Sequence, residues 1–176
     1  IGSYRWSLDG SKIFFVAAEP RPEDEEKARK DGDDAIFVDE GPNGQRDGTW
    51  TNLWSLDVGS KEETRLTEED HRIASFSVSP NGDQVVFTAR TENRRNQQNQ
   101  AEIHLLDVTS GETRQMTDNE APEGRLTWAP DGRRFVYEAP SDDQWELRLD
   151  KLWIMDAESG DRRMISEAFD GNIGSF

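Results

Sequence analysis

The chain has 176 residues, of which 32% are hydrophobic and 33% are charged, and its formal net charge is −16 at pH 7. This acidic balance argues against nucleic acid or an anionic membrane surface as a partner, because both are bound through basic patches. The lack of cysteine excludes disulfides and cysteine-based metal sites, but it leaves a cytoplasmic, periplasmic or secreted location open.

A strand–turn–strand pattern occurs three times along the chain. Its turns are Leu8–Gly10, Pro80–Gly82 and Pro130–Gly132; Asn or Asp followed by Gly suits a turn because both residues tolerate positive φ. After each turn, apolar residues alternate in the same register and so fall on one face of a strand. These residues are Ile13, Phe15 and Ala17, then Val85, Phe87 and Ala89, then Phe135, Tyr137 and Ala139. The shorter strands before the turns are predicted to end at Trp6, Val78 and Trp128.

An insertion follows the first of these patterns. Glu23–Lys30 is predicted to be an exposed helix, because acidic residues come first, basic residues come last and Pro22 suits the first turn. Gly32 is placed to end this helix. Ala35–Val38 is predicted to form an added strand, and 39–48 is predicted to be a loop.

A second recurring pattern lies downstream of the first in each repeat. It spans Leu53–Thr67, Ile103–Thr117 and Leu152–Ser166, with spacings of 50 and 49 residues. Each copy is predicted to be a β-hairpin. Its turn is opened by an aspartate whose carboxylate can accept backbone N–H bonds, namely Asp57, Asp107 and Asp156.

Together the two patterns give four strands per repeat, which is typical of a propeller blade. The predicted fold is all-β: a partial β-propeller of three four-stranded antiparallel blades and the start of a fourth. The predicted boundaries are 1–72 with a helical insertion at about 19–50, then 73–122, 123–172 and 173–176. Because a propeller closes with about four to eight blades, we expect this chain to be a piece of a larger protein.

The repeated Trp-Ser-x-Asp-Gly, Leu-Trp-x-x-Asp and Ser-Gly-Glu strings resemble the blades of PD40-type and TolB-type propellers. The insert Pro20–Glu40 is similar to one in the N-terminal propellers of prolyl oligopeptidase-family serine peptidases, in the acylaminoacyl-peptidase and dipeptidyl-peptidase-like branch. This resemblance implies a propeller that caps a separate α/β-hydrolase domain and restricts entry to short peptides. It also implies that the Ser-Asp-His triad lies in that other domain.

The chain itself shows no catalytic or metal-binding pattern. It lacks the Gly-x-Ser-x-Gly string of a nucleophile elbow, and the acids of Asp31–Asp34 lack calcium-loop spacing. His104 occupies the position filled by Trp54 and Trp153 in the other repeats, so we interpret it as a packing residue. His71, beside acidic residues, is interpreted as part of a solvated loop between blades. No catalytic residue and no cofactor is therefore predicted.

Two arginines are candidates for substrate contact. Arg5 and Arg125 lie on the predicted innermost strands, which line the central channel of a propeller. The competing interpretation, contact between blades or with solvent, is the favoured one. The acidic surplus could concentrate peptides with free amino groups, although solubility or adaptation to salt explains it more simply.

The favoured functional hypothesis is a non-catalytic propeller segment of a serine peptidase. Its expected partners are peptide substrates and a C-terminal α/β-hydrolase domain. The alternative is a TolB-like propeller that serves as a protein–protein interaction scaffold. A carbohydrate-binding or lyase propeller is a third possibility, but no motif supports it.

Overall fold

A computed structural model describes most of the chain, namely residues 1–20, 23–32, 49–68, 70–97, 99–142 and 144–173. The predicted strand Ala35–Val38 and the predicted loop 39–48 lie outside the described residues. So do residues 174–176 of the predicted fourth blade.

The described residues contain twelve strands. The first four are β1 (Tyr4–Trp6), β2 (Lys12–Ala18), β3 (Thr51–Asp57) and β4 (Glu63–Arg65). The next four are β5 (Arg72–Val78), β6 (Gln84–Arg90), β7 (Glu102–Asp107) and β8 (Thr113–Gln115). The last four are β9 (Gly124–Trp128), β10 (Arg134–Pro140), β11 (Asp150–Asp156) and β12 (Arg162–Met164). We call these groups of four the first, second and third unit.

Each unit is an antiparallel meander in which consecutive strands pair. The predicted all-β, antiparallel class is therefore confirmed. The first two units are not separate sheets, however, because a parallel pair between Thr51 and Arg72 joins β3 to β5. Thr51 supports this join by donating its N–H to the carbonyl of His71 at 2.8 Å. The third unit is a four-stranded sheet of its own.

The first turn of each unit has the predicted conformation. Gly10, Gly82 and Gly132 have φ of 72°, 75° and 65°, a region that costs glycine no steric strain. The strands that precede these turns end where predicted, at Trp6, Val78 and Trp128.

The helix α1 (Glu23–Lys30) lies between β2 and β3 and has the predicted bounds. Glu26 and Lys30 form an i,i+4 ion pair at 3.6 Å, which supports a short exposed helix. Gly32 follows the helix with a φ of 77°, as expected of a residue that ends it.

The hydrophobic core lies between the units, in two clusters. We call the face that a unit packs on the preceding unit its leading face, and the face that it packs on the following unit its trailing face. The first cluster joins the trailing-face residues Phe14, Val16 and Leu53 to the leading-face residues Ile73, Phe76, Val85, Phe87 and Ala89, with Leu106. The second joins Val86, Ile103 and Leu105 to Leu126, Trp128, Phe135, Tyr137, Ala139, Met155 and Ala157. Burial between units, more than within them, therefore holds the described residues together.

Candidate functional site

A cavity of about 680 Å³ lies between the first and second units. It is formed where β2 and β6 end and where β3 and β5 begin, so it opens beside the connections that leave these strands. Such connections commonly carry binding residues on a rigid scaffold. The residues that line it are Ile1, Gly2, Ser3, Val16, Ala18, Thr51, Arg72, Ile73, Ala74, Arg90 and Ala101.

Two arginines lie among the residues that line this cavity. Arg72 and Arg90 are directly paired across β5 and β6, and both line the cavity. Local contacts fix each side chain: Arg72 Nη1 donates to the carbonyl of Thr49 at 2.8 Å, and Arg90 Nη1 donates to the carbonyl of Arg94 at 2.7 Å. A guanidinium carries five N–H donors and matches a carboxylate in shape. Arg90 is only 6% exposed, so Arg72 is the group that suits an anionic ligand.

The rest of the cavity wall is largely apolar, and the described residues that line it include no carboxylate. This local cationic character contrasts with the net charge of −16 of the whole chain. Val16, Ile73 and Ala101 provide an apolar surface beside the two guanidinium groups. The arrangement can therefore hold a ligand that combines a carboxylate with a small apolar group, such as the end of a short peptide.

The two histidines lie together in the core between the first two units. His71 is only 2% exposed, so its interpretation as a solvated loop residue was wrong. The β3–β5 join draws the segment before β5 inward, where the His71 ring lies 5.3 Å from the His104 ring. His104 is stacked on Phe87 at 5.3 Å, which agrees with a packing role.

The environment of His104 makes it a weak base. Burial, together with the charge of His71, lowers the pKa of His104 from 6.5 to about 4. A histidine with such a pKa is neutral at pH 7 and poorly matched to general-base catalysis near neutrality.

The predicted channel residues Arg5 and Arg125 do not line the cavity. The Arg5 guanidinium lies 5.8 Å from the centre of the Phe76 ring in the second unit, so it makes a contact between units. Arg125 has a φ of 49° and pairs with Glu138 at 3.0 Å within the third unit. Their predicted role in a channel stays a prediction.

A smaller cavity of about 200 Å³ lies between the second and third units, beside Glu123, Tyr137 and Arg162. Thr117 and Asn119 donate hydrogen bonds to the Glu123 carboxylate at 2.5 and 3.0 Å. Burial nevertheless raises the pKa of Glu123 to about 7 and that of Tyr137 to about 12. These groups belong to the junction of the two units.

Two further features bear on function. In the described part of the chain, no three or more histidine or acidic side chains are grouped so as to hold a metal ion. Among the described helices, none is long and apolar enough to cross a membrane.

Arg72 and Arg90 were missed at the level of sequence. A signal for Arg90 was present, because the equivalent positions after the other turns hold Ala18 and Pro140. An arginine at a position where the other repeats hold alanine or proline is not needed to form the strand, so it indicates another role. Without the pairing of β5 and β6, however, nothing indicated that the two arginines meet.

Comparisons with protein-family models and with curated proteins give no match. Solved structures do match. TolB from Acinetobacter baumannii is 17% identical with a TM-score of 0.63, and the match covers 98% of this chain and 33% of that one. Pyrococcus horikoshii acylaminoacyl peptidase is 11% identical with a TM-score of 0.60, over 93% of this chain and 24% of that one. Oligogalacturonate lyase from Vibrio parahaemolyticus is 14% identical with a TM-score of 0.58, and the match covers 93% of this chain and 38% of that one.

These similarities show that the chain has a TolB-like, propeller-like fold. The chain spans less than half the length of each of the three proteins. Because their names indicate unrelated activities, the shared fold does not by itself assign one of them to this chain.

Proposed function

We propose that the chain is the propeller segment of a prolyl oligopeptidase-family serine peptidase, in which it docks and gates short peptides for a separate α/β-hydrolase domain. The observation that carries this proposal is the cavity between the first two units, which combines Arg72 and Arg90 with an apolar wall. The similarity of the fold to an acylaminoacyl peptidase is consistent with it.

In this function the chain contributes binding and selection. A peptide carboxylate accepts N–H bonds from the Arg72 guanidinium, and an adjacent small side chain packs on Val16 and Ile73. The limited size of the cavity favours short peptides over folded proteins. Acyl transfer to water takes place in the partner domain, which supplies the nucleophile, its base and the oxyanion hole.

Peptide binding can be tested with a fluorescent tetrapeptide in two forms, with a free and with an amidated C-terminus. We expect the free acid to bind more tightly by about tenfold, because one charge-assisted contact is worth roughly 1.5–3 kcal/mol. Arg72→Gln should remove this preference. Arg148→Gln is the matched control, because Arg148 pairs with Asp142 on an exposed loop.

Equal affinity of the two peptides, or loss of binding in the Arg148→Gln control as well, would contradict docking at this cavity. The comparison of the two peptides on the unchanged chain does not depend on how a variant folds.

A second candidate function is a TolB-like interaction scaffold without a peptidase domain. The match to Acinetobacter TolB favours it, because that match covers 98% of this chain. Extension of the reading frame past Phe176 separates the two candidates. A Gly-x-Ser-x-Gly string in an α/β-hydrolase pattern supports the peptidase, whereas an end after further blades supports the scaffold.

A further inference from the structure

The smaller cavity, between the second and third units, carries polar groups that the proposed function does not use. Its volume is about 200 Å³. It is lined by the segment 119–123, by β10, β11 and β12, and by the connection that follows β10. It shares no lining residue with the Arg72 cavity, so a ligand bound here is held independently of peptide docking.

A buried hydroxyl without a partner faces this cavity. The Tyr137 side chain is fully buried, and its hydroxyl oxygen makes no hydrogen bond of ordinary length in the described part of the chain. Burial is the main cause that raises its pKa, but the charges of Glu123 and Arg162 also act on it. The hydroxyl therefore lies on the side of the ring where these two residues line the cavity. An unpaired buried hydroxyl is unfavourable, and a ligand in the cavity supplies the missing partner.

The Arg162 guanidinium gives the cavity a positive charge. Its central carbon lies 5.8 Å from the centre of the Trp153 ring, so the ring face supports it. Arg162 Nη1 is 3.9 Å from Glu123 Oε1, which is beyond hydrogen-bond length. The side chain is 47% exposed, so its N–H donors are accessible. A guanidinium can donate two parallel N–H bonds to one carboxylate.

Glu123 does not repel an anion below neutral pH, because its carboxyl is held protonated there. Burial is the largest cause that raises its pKa to about 7. In the described part of the chain, the titratable groups that act on it or on which it acts are Glu102 on β7, Tyr137 on β10 and Arg162 on β12. In the protonated form, its O–H is a further donor beside the cavity.

The second carboxylate on the cavity wall is compensated by a neighbour. Asp142 pairs with Arg148 Nε at 2.7 Å, and this hydrogen bond is the main cause that lowers the pKa of Asp142. Ala121, Ala139 and Pro140 add apolar surface. The cavity thus combines a cation and hydrogen-bond donors with an apolar wall, and its small volume limits a ligand to a few carbon atoms.

We propose that this cavity binds a small free monocarboxylate with a short aliphatic chain, such as propionate. The carboxylate accepts N–H bonds from Arg162 and an O–H bond from Tyr137, and the protonated Glu123 carboxyl donates to it as a third group. The aliphatic chain packs against Ala121 and Ala139. Binding satisfies the Tyr137 hydroxyl, which the described chain leaves without a partner.

An NMR titration of the full chain tests the site. The reporter is the indole N–H of Trp153, because Trp153 lines the cavity and its indole donates to the Pro140 carbonyl at 3.2 Å. At about pH 6, propionate should shift this signal saturably in the millimolar range, as expected of a small ligand. Propionamide, a neutral molecule of similar shape, should bind at least about tenfold more weakly. Equal binding of propionamide, binding of propylammonium in place of propionate, or no saturable shift would overturn the proposal.

The pH dependence of binding tests the part assigned to Glu123. The affinity for propionate should fall about tenfold from about pH 6 to about pH 8, because ionised Glu123 repels the carboxylate. Glu123→Gln keeps a donor and does not ionise, so its affinity should stay constant over this range. A fall of the same size in Glu123→Gln, or a constant affinity in the parent chain, would contradict this part.

Substitutions separate a ligand site from a structural junction. Tyr137→Phe should weaken propionate binding about tenfold. It should leave the urea midpoint of the ligand-free chain unchanged or raised, because the hydroxyl has no partner to lose. Arg162→Gln should weaken binding by at least about tenfold. Arg163→Gln, next to Arg162 on β12 and outside the cavity lining, is the matched control and should bind as the parent chain does. A lower urea midpoint with unchanged propionate affinity in Tyr137→Phe would show that the hydroxyl is purely structural.

The result is distinguishable from that of the proposed function. Arg72→Gln should leave the propionate shift of Trp153 intact, because Arg72 does not line this cavity. A propionate shift without tetrapeptide binding would support this site and remove peptide docking. A tetrapeptide acid that shifts the Trp153 signal as propionate does would show that the cavity takes peptide ends, and it would overturn the assignment to a small free acid.

Discussion

Glu123 lies at the junction of the second and third units with its side chain only 1% exposed. Burial is the main cause that raises its pKa from 4.5 to about 7, and the nearby Glu102 adds to it. Hydrogen bonds from Thr117 and Asn119 and the charge of Arg162, 3.9 Å away, act in the opposite direction. The carboxyl is therefore held in the protonated form well above the pH at which an exposed glutamate ionises.

This shift predicts a pH dependence of stability. Between pH 4.5 and 7 the folded chain binds more protons at Glu123 than the unfolded chain does. The contribution of Glu123 to the free energy of unfolding is therefore fully present below pH 4.5. It is lost as the pH rises through 7, and the loss amounts to about 3 kcal/mol. Glu123→Gln, which keeps a hydrogen-bonding side chain, should remove this loss. Urea unfolding at several pH values measures it.

His104 complicates the measurement, because its lowered pKa acts with the opposite sign. Its stabilising contribution is present above pH 6.5 and is lost as the pH falls towards 4. In the parent chain the effects of Glu123 and His104 on the free energy of unfolding change in opposite directions with pH. The informative quantity is therefore the difference in this free energy between Glu123→Gln and the parent. A difference that stays constant across the window would show that Glu123 is not held protonated.

At the scale of elements, the second hairpin has the same turn in all three units. Asp57, Asp107 and Asp156 each accept two backbone N–H bonds at 2.8–3.1 Å. These hydrogen bonds lower the pKa of each carboxyl. The largest cause is the bond from the backbone N–H of the serine that lies three residues after the aspartate. The sequence-based prediction of this turn is confirmed, and it follows from local geometry alone.

The same turn allows a matched pair of substitutions. Lys61 has a φ of 64°, whereas Gly111 and Gly160 occupy the equivalent positions with φ of 75° and 77°. A side chain at positive φ costs roughly 1–2 kcal/mol, which the lower chain entropy of a non-glycine residue partly offsets. We therefore expect Lys61→Gly to stabilise the chain by up to about 1 kcal/mol.

The reciprocal change, Gly111→Lys, should destabilise the chain by about 1 kcal/mol or more. A Cβ at Gly111 meets no atom within 4 Å, so backbone strain is the only cost. Urea unfolding of both variants measures the pair. Effects of the same sign in the two variants would contradict the account of the turn.

The repeat predicted the elements better than it predicted the site. Strand ends at Trp6, Val78 and Trp128, and the helix Glu23–Lys30, follow from local pattern, turn chemistry and charge order. The burial of His71 depends instead on a parallel pair between two units, and no local pattern encodes such a pair. Arg72 and Arg90 likewise come together only through the β5–β6 register.

At the scale of the whole molecule, the units behave as repeats that bury their apolar faces on one another. Trp128 illustrates the dependence on a neighbour, because Ser77 of the preceding unit accepts its indole N–H. Trp6, the same residue type in the same position, lies 54% exposed. The cavity with Arg72 and Arg90 arises at one such junction, so the proposed peptide docking would depend on the packing of two units and not on any single strand.

We propose that this chain binds short peptides and does not cleave them. The most direct measurement is fluorescence anisotropy of a labelled tetrapeptide titrated with the chain, followed by mass spectrometry of the recovered peptide. We expect a saturable rise in anisotropy that is stable over time, with the peptide recovered intact. Cleavage of the peptide, accompanied by stoichiometric labelling of a serine with a fluorophosphonate, would contradict it, and so would the absence of any saturable binding.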